Sequence, residues 1–310
     1  MDLSSPDRRA RAQGALLGLA AGDALGTTLE FTPALDPFKP QVTAIVGGGP
    51  FNLPRGGWTD DTSMALCLAE SLIARRDCDP HDQMQRYLRW MRQGENSVTG
   101  RCFDIGNTTR AALLCFEADG NPLAGSSDPH SAGNGSLMRL VPVAIAAADQ
   151  AQAEAWAALQ SRTTHGAAAA VDACRFYARL LWLALAGTPR EQLLDPGQGA
   201  GLDLNPVVAA VAGGSYRERK PPAIQGIGYV VAALEAALWA FAHSDSFEAG
   251  AILAVNLGQD ADTTGAIYGQ IAGAYYGIEG IPADWRAAVL WNEQILTLAD
   301  QLHALHGRSA

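Results

Sequence analysis

The chain has 310 residues, 48% of them hydrophobic and 17% charged, and its 22 basic against 32 acidic side chains give a formal charge of -10. So low a charged fraction excludes a disordered chain, and at this length roughly three quarters of the unfolded surface can be buried without disulfides. The negative balance opposes phosphate backbones and excludes non-specific nucleic-acid binding; an anionic ligand needs metal ions or backbone N–H groups.

Arg8, Arg9 and Arg11 precede an apolar run and imitate a secretion signal, but Asp23 interrupts the run, so none is expected. The first helix, expected over 8–24, carries Gly14, Gly18 and Gly22, with Gly26 continuing the spacing just beyond it. Glycine costs a helix about 1 kcal/mol relative to alanine, so a stripe of it needs compensation, which close approach of a second helix supplies. Further helices are expected over 62–76, 80–93, 106–118, 136–148, 151–161, 166–186, 205–212, 227–243 and 246–256. The glycine spacing returns at Gly265, Gly269 and Gly273 in a helix expected over 263–276, with Gly277 just beyond it, and a last helix is expected over 284–305. The reading is an all-α protein. Gly/Pro-rich connections at 33–57, 119–135, 187–203 and 213–226 do not resemble a long flexible linker, so one domain over 1–310 is expected. The apolar stretches 180–186 and 230–242 are too short or carry Glu235, so no membrane span is expected. Five cysteines without CxxC or zinc spacing read as reduced thiols in the cytoplasm.

The strongest local signal is Gly57-Trp58-Thr59-Asp60-Asp61-Thr62 at the start of a helix. Standing alone, a threonine and two aspartates there read as a cap. A second segment, Gly258-Gln259-Asp260-Ala261-Asp262-Thr263-Thr264, opens the second glycine-striped helix with the same residue types. Together they are hard oxygen ligands suited to Mg²⁺ or Mn²⁺ and poorly suited to zinc. Spacing alone does not show that they meet. Glu30, beyond the first glycine helix, reads on its own as a loop acid.

The chain resembles the ADP-ribosylglycohydrolase family, in particular its bacterial branch that removes ADP-ribose from arginine, of which the dinitrogenase-reductase-activating glycohydrolase is an example. The resemblance runs from Gly14-Ala15-Leu16-Leu17-Gly18 and Gly22-Asp23-Ala24-Leu25-Gly26 to Tyr275-Tyr276-Gly277. Its most specific pieces are Trp58-Thr59-Asp60-Asp61-Thr62, Gly133-Asn134-Gly135-Ser136-Leu137-Met138-Arg139, Thr164-His165 and Gly258-Gln259-Asp260-Ala261-Asp262-Thr263.

The resemblance implies a compact orthogonal all-α fold with a binuclear Mg²⁺ or Mn²⁺ site. Thr59, Asp60 and Asp61 match the first ligand cluster, Asp260, Asp262 and Thr263 the second, and Glu30 the family's glutamate beside the metals. Gly133, Asn134, Gly135 and Ser136 match the loop that holds the diphosphate and proximal ribose; from the residues alone it is a glycine-rich helix entry with free N–H groups. Arg139 reads either as a phosphate partner or as an ordinary ion pair. His165 matches a site histidine, although a lone histidine before an alanine run is more often structural. In Cys102-Phe103-Asp104-Ile105-Gly106-Asn107-Thr108-Thr109 the branch places an aspartate near the scissile bond, making Asp104 a catalytic candidate with Asn107 beside it; the competing reading of Asp104 is an N-cap. Tyr229, in Gln225-Gly226-Ile227-Gly228-Tyr229, borders the substrate or simply packs its ring.

The implied reaction is hydrolysis of the N-glycosidic bond between ribose and an arginine guanidinium, with Asp104 or Glu30 moving protons. The partner is a mono-ADP-ribosylated protein, ADP-ribose is the product, and a monomer is expected. The alternatives are the same fold acting on ADP-ribosyl-serine or small ADP-ribose conjugates, and a non-catalytic ADP-ribose-binding member. Loss of the metal aspartates would mark the last, and none is lost.

Overall fold

The computed structural model describes residues 7–306; the expected domain limits 1 and 310 lie outside them. In chain order its α-helices are α1 (Arg8–Gly26), α2 (Asp60–Arg75), α3 (Pro80–Gln93), α4 (Asn107–Asp119), α5 (Val141–Ala146), α6 (Gln150–Thr164) and α7 (Ala168–Leu185). Then follow α8 (Arg190–Leu193), α9 (Pro206–Ala212), α10 (Val230–Ala242), α11 (Phe247–Val255), α12 (Ala261–Tyr276), α13 (Ala283–Ala288) and α14 (Asn292–His306). Among the described residues the only β pairings are three isolated bridges, so the all-α expectation holds.

The two glycine-striped helices form the centre. The side chain of Asp7 accepts from the N–H of Ala10 at 2.7 Å and starts α1, and both helices are buried along most of their length. A Cβ at Gly14 would stand 2.5 Å from the carbonyl oxygen of Gly273, and one at Gly18 2.5 Å from that of Gly269. Gly22 and Gly26 face the carbonyls of Gly265 and Ala261 even more tightly. The pairing 14 with 273, 18 with 269, 22 with 265 and 26 with 261 is antiparallel, so the end of α1 lies against the start of α12. This direct backbone contact is the compensation that the stripe required. It also decides where the chemistry gathers, because Glu30 follows α1 while Asp260 and Asp262 open α12.

Two expected helices differ. The one over 136–148 shrinks to α5, since the start is set by α12: Gln270 caps it by accepting from the N–H of Val141 at 2.9 Å and donates to the carbonyl of Met138 at 2.6 Å. Pro142 sits at the position where its missing N–H is harmless. The one over 284–305 breaks into α13 and α14, with Trp291 in the left-handed region at φ 60°. The break clasps the loop that leads into α2: the N–H of Leu290 donates to the carbonyl of Gly56 at 3.0 Å, and the Trp58 indole donates to the carbonyl of Leu290 at 3.1 Å. At Gly56, where φ is 81°, a Cβ would collide with the carbonyl of Ala288. The short helix α8 has no counterpart in the sequence reading. Among the described residues no helix is long and apolar enough to cross a membrane, and all five cysteines are free.

A candidate active site where two acidic helix starts meet

A cavity of about 610 Å³ opens over the junction of α1, α2 and α12. Its lining includes Glu30, Asp60, Asp104, Asn107, Gly133, Asn134, Gly135, His165, Asp260 and Thr263. Residues some 200 positions apart in sequence therefore face one space.

Below it the carboxylates are crowded. The hydroxyl of Thr59 lies 3.0 Å from Asp23, 3.0 Å from Asp61 and 3.1 Å from Asp262, and that of Thr263 reaches Asp61 at 3.4 Å. Oxygens of Asp23, Asp61 and Asp262 lie within 4.8 Å of one another, as do oxygens of Glu30, Asp104 and Asp262. Asp262 is thus common to two acidic groups. Among the described residues, one oxygen each of Glu30, Asp61 and Asp262 is buried without a hydrogen-bond partner. Unpartnered buried carboxylate oxygens in a mutually repelling set are what a hard divalent cation satisfies, so the donor chemistry fits such an ion. Burial, followed by the neighbouring carboxylates, pushes Asp60, Asp61 and Asp262 well above the ordinary carboxylate range. For the same reasons, Glu30 rises to about 10 and Asp104 to about 7.

Thr59, Asp61 and Asp262 lie beneath the cavity lining, which Asp60, Asp260 and Thr263 reach, and Asp23, which the sequence reading used only as a break in an apolar run, explains why the first cluster is free of capping. One of its oxygens accepts from the N–H of Thr59 at 2.9 Å, the other from the N–H of Thr62 at 3.1 Å and its hydroxyl at 2.6 Å. A side chain of α1 therefore caps α2, Thr59 makes no cap bond of its own, and the capping reading of the Thr59-Asp60-Asp61 segment is corrected. Asp260 likewise makes no side-chain cap bond for α12; it accepts from the Asn134 side chain at 2.7 Å. Asp104 is not an N-cap either, because Gly106 occupies that position of α4. A sequence cue for Asp23 did exist, a lone acid on the buried face of an apolar helix, which needs donors nearby.

Loop geometry holds the acids in place. Phe31, Asp104 and Gln259 have φ values of 60°, 57° and 61°, a region non-glycine residues seldom occupy. The N–H of Phe31 donates to the carbonyl of Gln259 at 2.7 Å and the N–H of Gln259 to that of Thr32 at 3.1 Å, stapling the loop after α1 to the loop before α12.

The opposite wall is held by a hydrogen-bond network that runs from Arg139 to His165. Arg139 does not line the cavity and, among the described residues, makes no ion pair; it is buried over the ring of Tyr87 and donates to the Gln160 carbonyl and the hydroxyls of Thr163 and Thr164 at 3.1, 3.1 and 2.9 Å. Arg139 can only donate to the Thr164 hydroxyl, and Nδ1 of His165, 2.8 Å away, is the one acceptor among the described residues within reach of that hydroxyl's own proton. Nε2 of His165 then carries the ring proton, on the side of the ring that faces Gly133 and Gly135, where a Cβ would stand 3.3 and 3.2 Å from it. Burial, reinforced by Arg139, lowers the imidazolium to about 3 and keeps the ring neutral.

Two expected contacts fall elsewhere. The Ser136 hydroxyl is buried against Ser161 at 2.9 Å and is absent from the cavity lining. Tyr229 is 40% exposed and also absent from the lining; its segment acts through the backbone, the N–H of Asn134 donating to the carbonyl of Gly228 at 3.1 Å and that of Val230 to Ala132 at 3.0 Å. The helix entry that meets the cavity is also not the expected one. Residues 135–139 form turns, whereas the start of α4, with no side-chain cap, brings Asn107, Thr108 and Thr109 to the lining.

With this geometry in hand, comparison with known proteins is decisive: the profile of ADP-ribosylglycohydrolases matches residues 4–310. The chain belongs to the ADP-ribosylglycohydrolase family. Within it, the chain is 47% identical to the ADP-ribosylarginine hydrolase Tri1 of Pseudomonas putida, over 94% of this chain and 77% of that protein. It is 32% identical to the ADP-ribosyl-[dinitrogen reductase] glycohydrolase of Rhodospirillum rubrum, over 98% and 99% of the two chains. A solved structure titled ADP-ribosylglycohydrolase-related protein complex superposes with a TM-score of 0.86 at 46% identity, covering 97% of this chain and 99% of that one. This family membership agrees with the resemblance read from the motifs.

Proposed function

We propose that the protein is a metal-dependent hydrolase that cleaves the N-glycosidic bond between ADP-ribose and an arginine guanidinium on a target protein. ADP-ribose and unmodified arginine are the products. The observation that carries this reading is the convergence of both acidic helix starts, Glu30 and Asp104 on one cavity, in a chain whose relatives include proteins named ADP-ribosylarginine hydrolases.

Asp60, Asp61, Asp260, Asp262, Thr59 and Thr263 would hold two Mg²⁺ or Mn²⁺. When bound, the ions supply positive charge that engages the ribose hydroxyls and water and offsets the repulsion between an acidic wall and a diphosphate. Gly133, Asn134, Gly135, Asn107 and the Nε2–H of His165 bind and orient the ADP-ribose, with Ser136 and Tyr229 shaping that wall through packing and backbone. A guanidine leaves only as a protonated group, and the sugar develops oxocarbenium charge as it departs. Glu30 and Asp104, with oxygens in mutual reach, hold a proton for the leaving nitrogen and oppose that charge. Five free thiols support a reducing, cytoplasmic setting, and a monomer suffices because one chain lines the whole cavity.

Single-turnover release of ADP-ribose from an arginine-modified protein tests the reading, comparing the native chain with Asp60→Ala and Asp262→Ala. Native release that chelation stops and both variants lose is expected. Unchanged rates in the variants at saturating Mg²⁺ and Mn²⁺ would sink it, and preferential cleavage of a serine-linked conjugate would redirect it.

A further inference from the structure

Both carboxylates assigned to proton movement are followed or preceded by phenylalanine: Glu30 by Phe31, Asp104 by Phe103. The two rings are joined through Phe51. Ring centroids of Phe31 and Phe51 are 6.2 Å apart at 72°, and those of Phe51 and Phe103 5.0 Å apart at 59°. Phe31 lines the cavity, whereas Phe51 and Phe103 are not among its lining residues, so the row leads from the mouth outward.

The three rings stand apart from the main hydrophobic core. Phe31 is 68% exposed, in a protein where large aromatic side chains are mostly buried. Its backbone, at φ 60° in the turn stapled to Gln259, fixes where the exposed ring is presented. The loop carrying Phe51 is also held firmly: the Thr28 hydroxyl donates to the Gly47 carbonyl at 3.0 Å, and Gly49, at φ 65°, lies so close to the Thr27 carbonyl that a Cβ would collide with it. The ring edges in the row are therefore presented by rigid backbone.

The geometry points to a guanidinium subsite: the Phe31 face, backed by Phe51 and Phe103, receives the arginine side chain of the target while Glu30 and Asp104 face its nitrogens. A planar, weakly hydrated cation stacks on an aromatic face and is drawn to adjacent carboxylates. A serine-linked substrate offers this surface neither charge nor a planar group, so the row is a specificity element for the arginine linkage. The inference rests on the proposed arginine reaction and names the residues that read its leaving group.

The test uses the full chain with ADP-ribosyl-agmatine as a small arginine-like conjugate, and free ADP-ribose as the ligand lacking a guanidinium. Phe31→Leu keeps apolar bulk and the same backbone demand but removes the π face; Phe31→Trp keeps one. For Phe31→Leu we expect KM for the conjugate to rise roughly 2- to 30-fold, the range of exposed to desolvated cation–π contacts. The Kd for ADP-ribose should be unchanged, and Phe31→Trp should stay near native KM. An unchanged KM in Phe31→Leu, or an equal loss of ADP-ribose affinity, would overturn the subsite while native cleavage still supports the arginine reaction. A native protein that binds ADP-ribose yet leaves the conjugate intact would overturn both.

Discussion

The two walls of the cavity are built by opposite means. On the acidic side, Asp61, Asp262 and Glu30 keep unpartnered buried oxygens, and burial, followed by neighbouring carboxylates, raises their pKa values. On the other, Arg139, Thr164 and His165 form a closed chain of donors and acceptors. One wall keeps buried oxygens without partners; the other is held by bonds made within the fold. For the proposed reaction this division would be useful, because the crowded acids would supply charge to metal ions while the hydrogen-bonded wall would supply fixed direction to a diphosphate.

Substitution at the residue shared by both acidic groups should have the largest effect. Asp262→Asn is expected to lower single-turnover release by on the order of 10³-fold, the scale of losing a principal electrostatic stabiliser, yet to raise Tm in chelator because one repelling charge is gone. A variant that loses activity and also melts earlier in chelator would show that the acidic wall is complete on its own.

Next comes the contact that brings the acids together. Gly22→Ala places a Cβ against the Gly265 carbonyl and should cost about 1–3 kcal/mol of stability by denaturant unfolding. Because Gly22 adjoins Asp23, it should also shrink the rise in Tm on adding Mn²⁺. Loss of stability with the Mn²⁺ effect intact would uncouple the helix contact from the site.

The walls should also answer differently to pH. A buried acid with a raised pKa holds in the folded state a proton that the unfolded chain has released, so its contribution is fully present below pH 4 and fades as pH rises through the folded value. Asp23 at about 6 and Asp104 at about 7 give that window, with Glu30 extending it toward 10. In chelator, Tm should therefore fall from pH 4 toward 8, and the Tm increase produced by Mg²⁺ or Mn²⁺ should grow over the same span. A Tm increase independent of pH would contradict coupling between the ions and these acids.

Smallest is the effect on the hydrogen-bonded wall. Thr164→Val frees Nδ1 of His165 and removes one acceptor from Arg139. The Kd for ADP-ribose should rise about tenfold, the scale of one or two hydrogen bonds, with the Mn²⁺-induced change in Tm unaltered. Nitrogen-15 shifts of His165 should show Nε2 protonated in the native chain and a mixture of tautomers in the variant.

Much of this was legible before any coordinate. Each glycine stripe repeats every fourth residue and so marks one helix face, and a face without side chains has few uses besides close contact. The acid pairs at two helix starts announced oxygen ligands by residue type alone. Distant side chains set local structure that the sequence did not reveal: Asp23 caps α2 in place of Thr59, and Gln270 moved the start of α5 to Val141. The fate of Arg139 was similarly hidden, since its acceptors, Gln160, Thr163 and Thr164, become neighbours only when α6 packs beside it.

What the sequence determined by itself was the helical class, the central pair of helices and the kind of atoms offered to a ligand, because periodicity and side-chain chemistry are local properties. Tertiary structure alone decided that the glycine stripes pair antiparallel, so that Glu30 meets Asp262, and that an orphaned set of oxygens faces a bonded histidine. Those outcomes depend on which carbonyls a bare helix face can approach and on donors contributed from far along the chain, and no window of residues contains either.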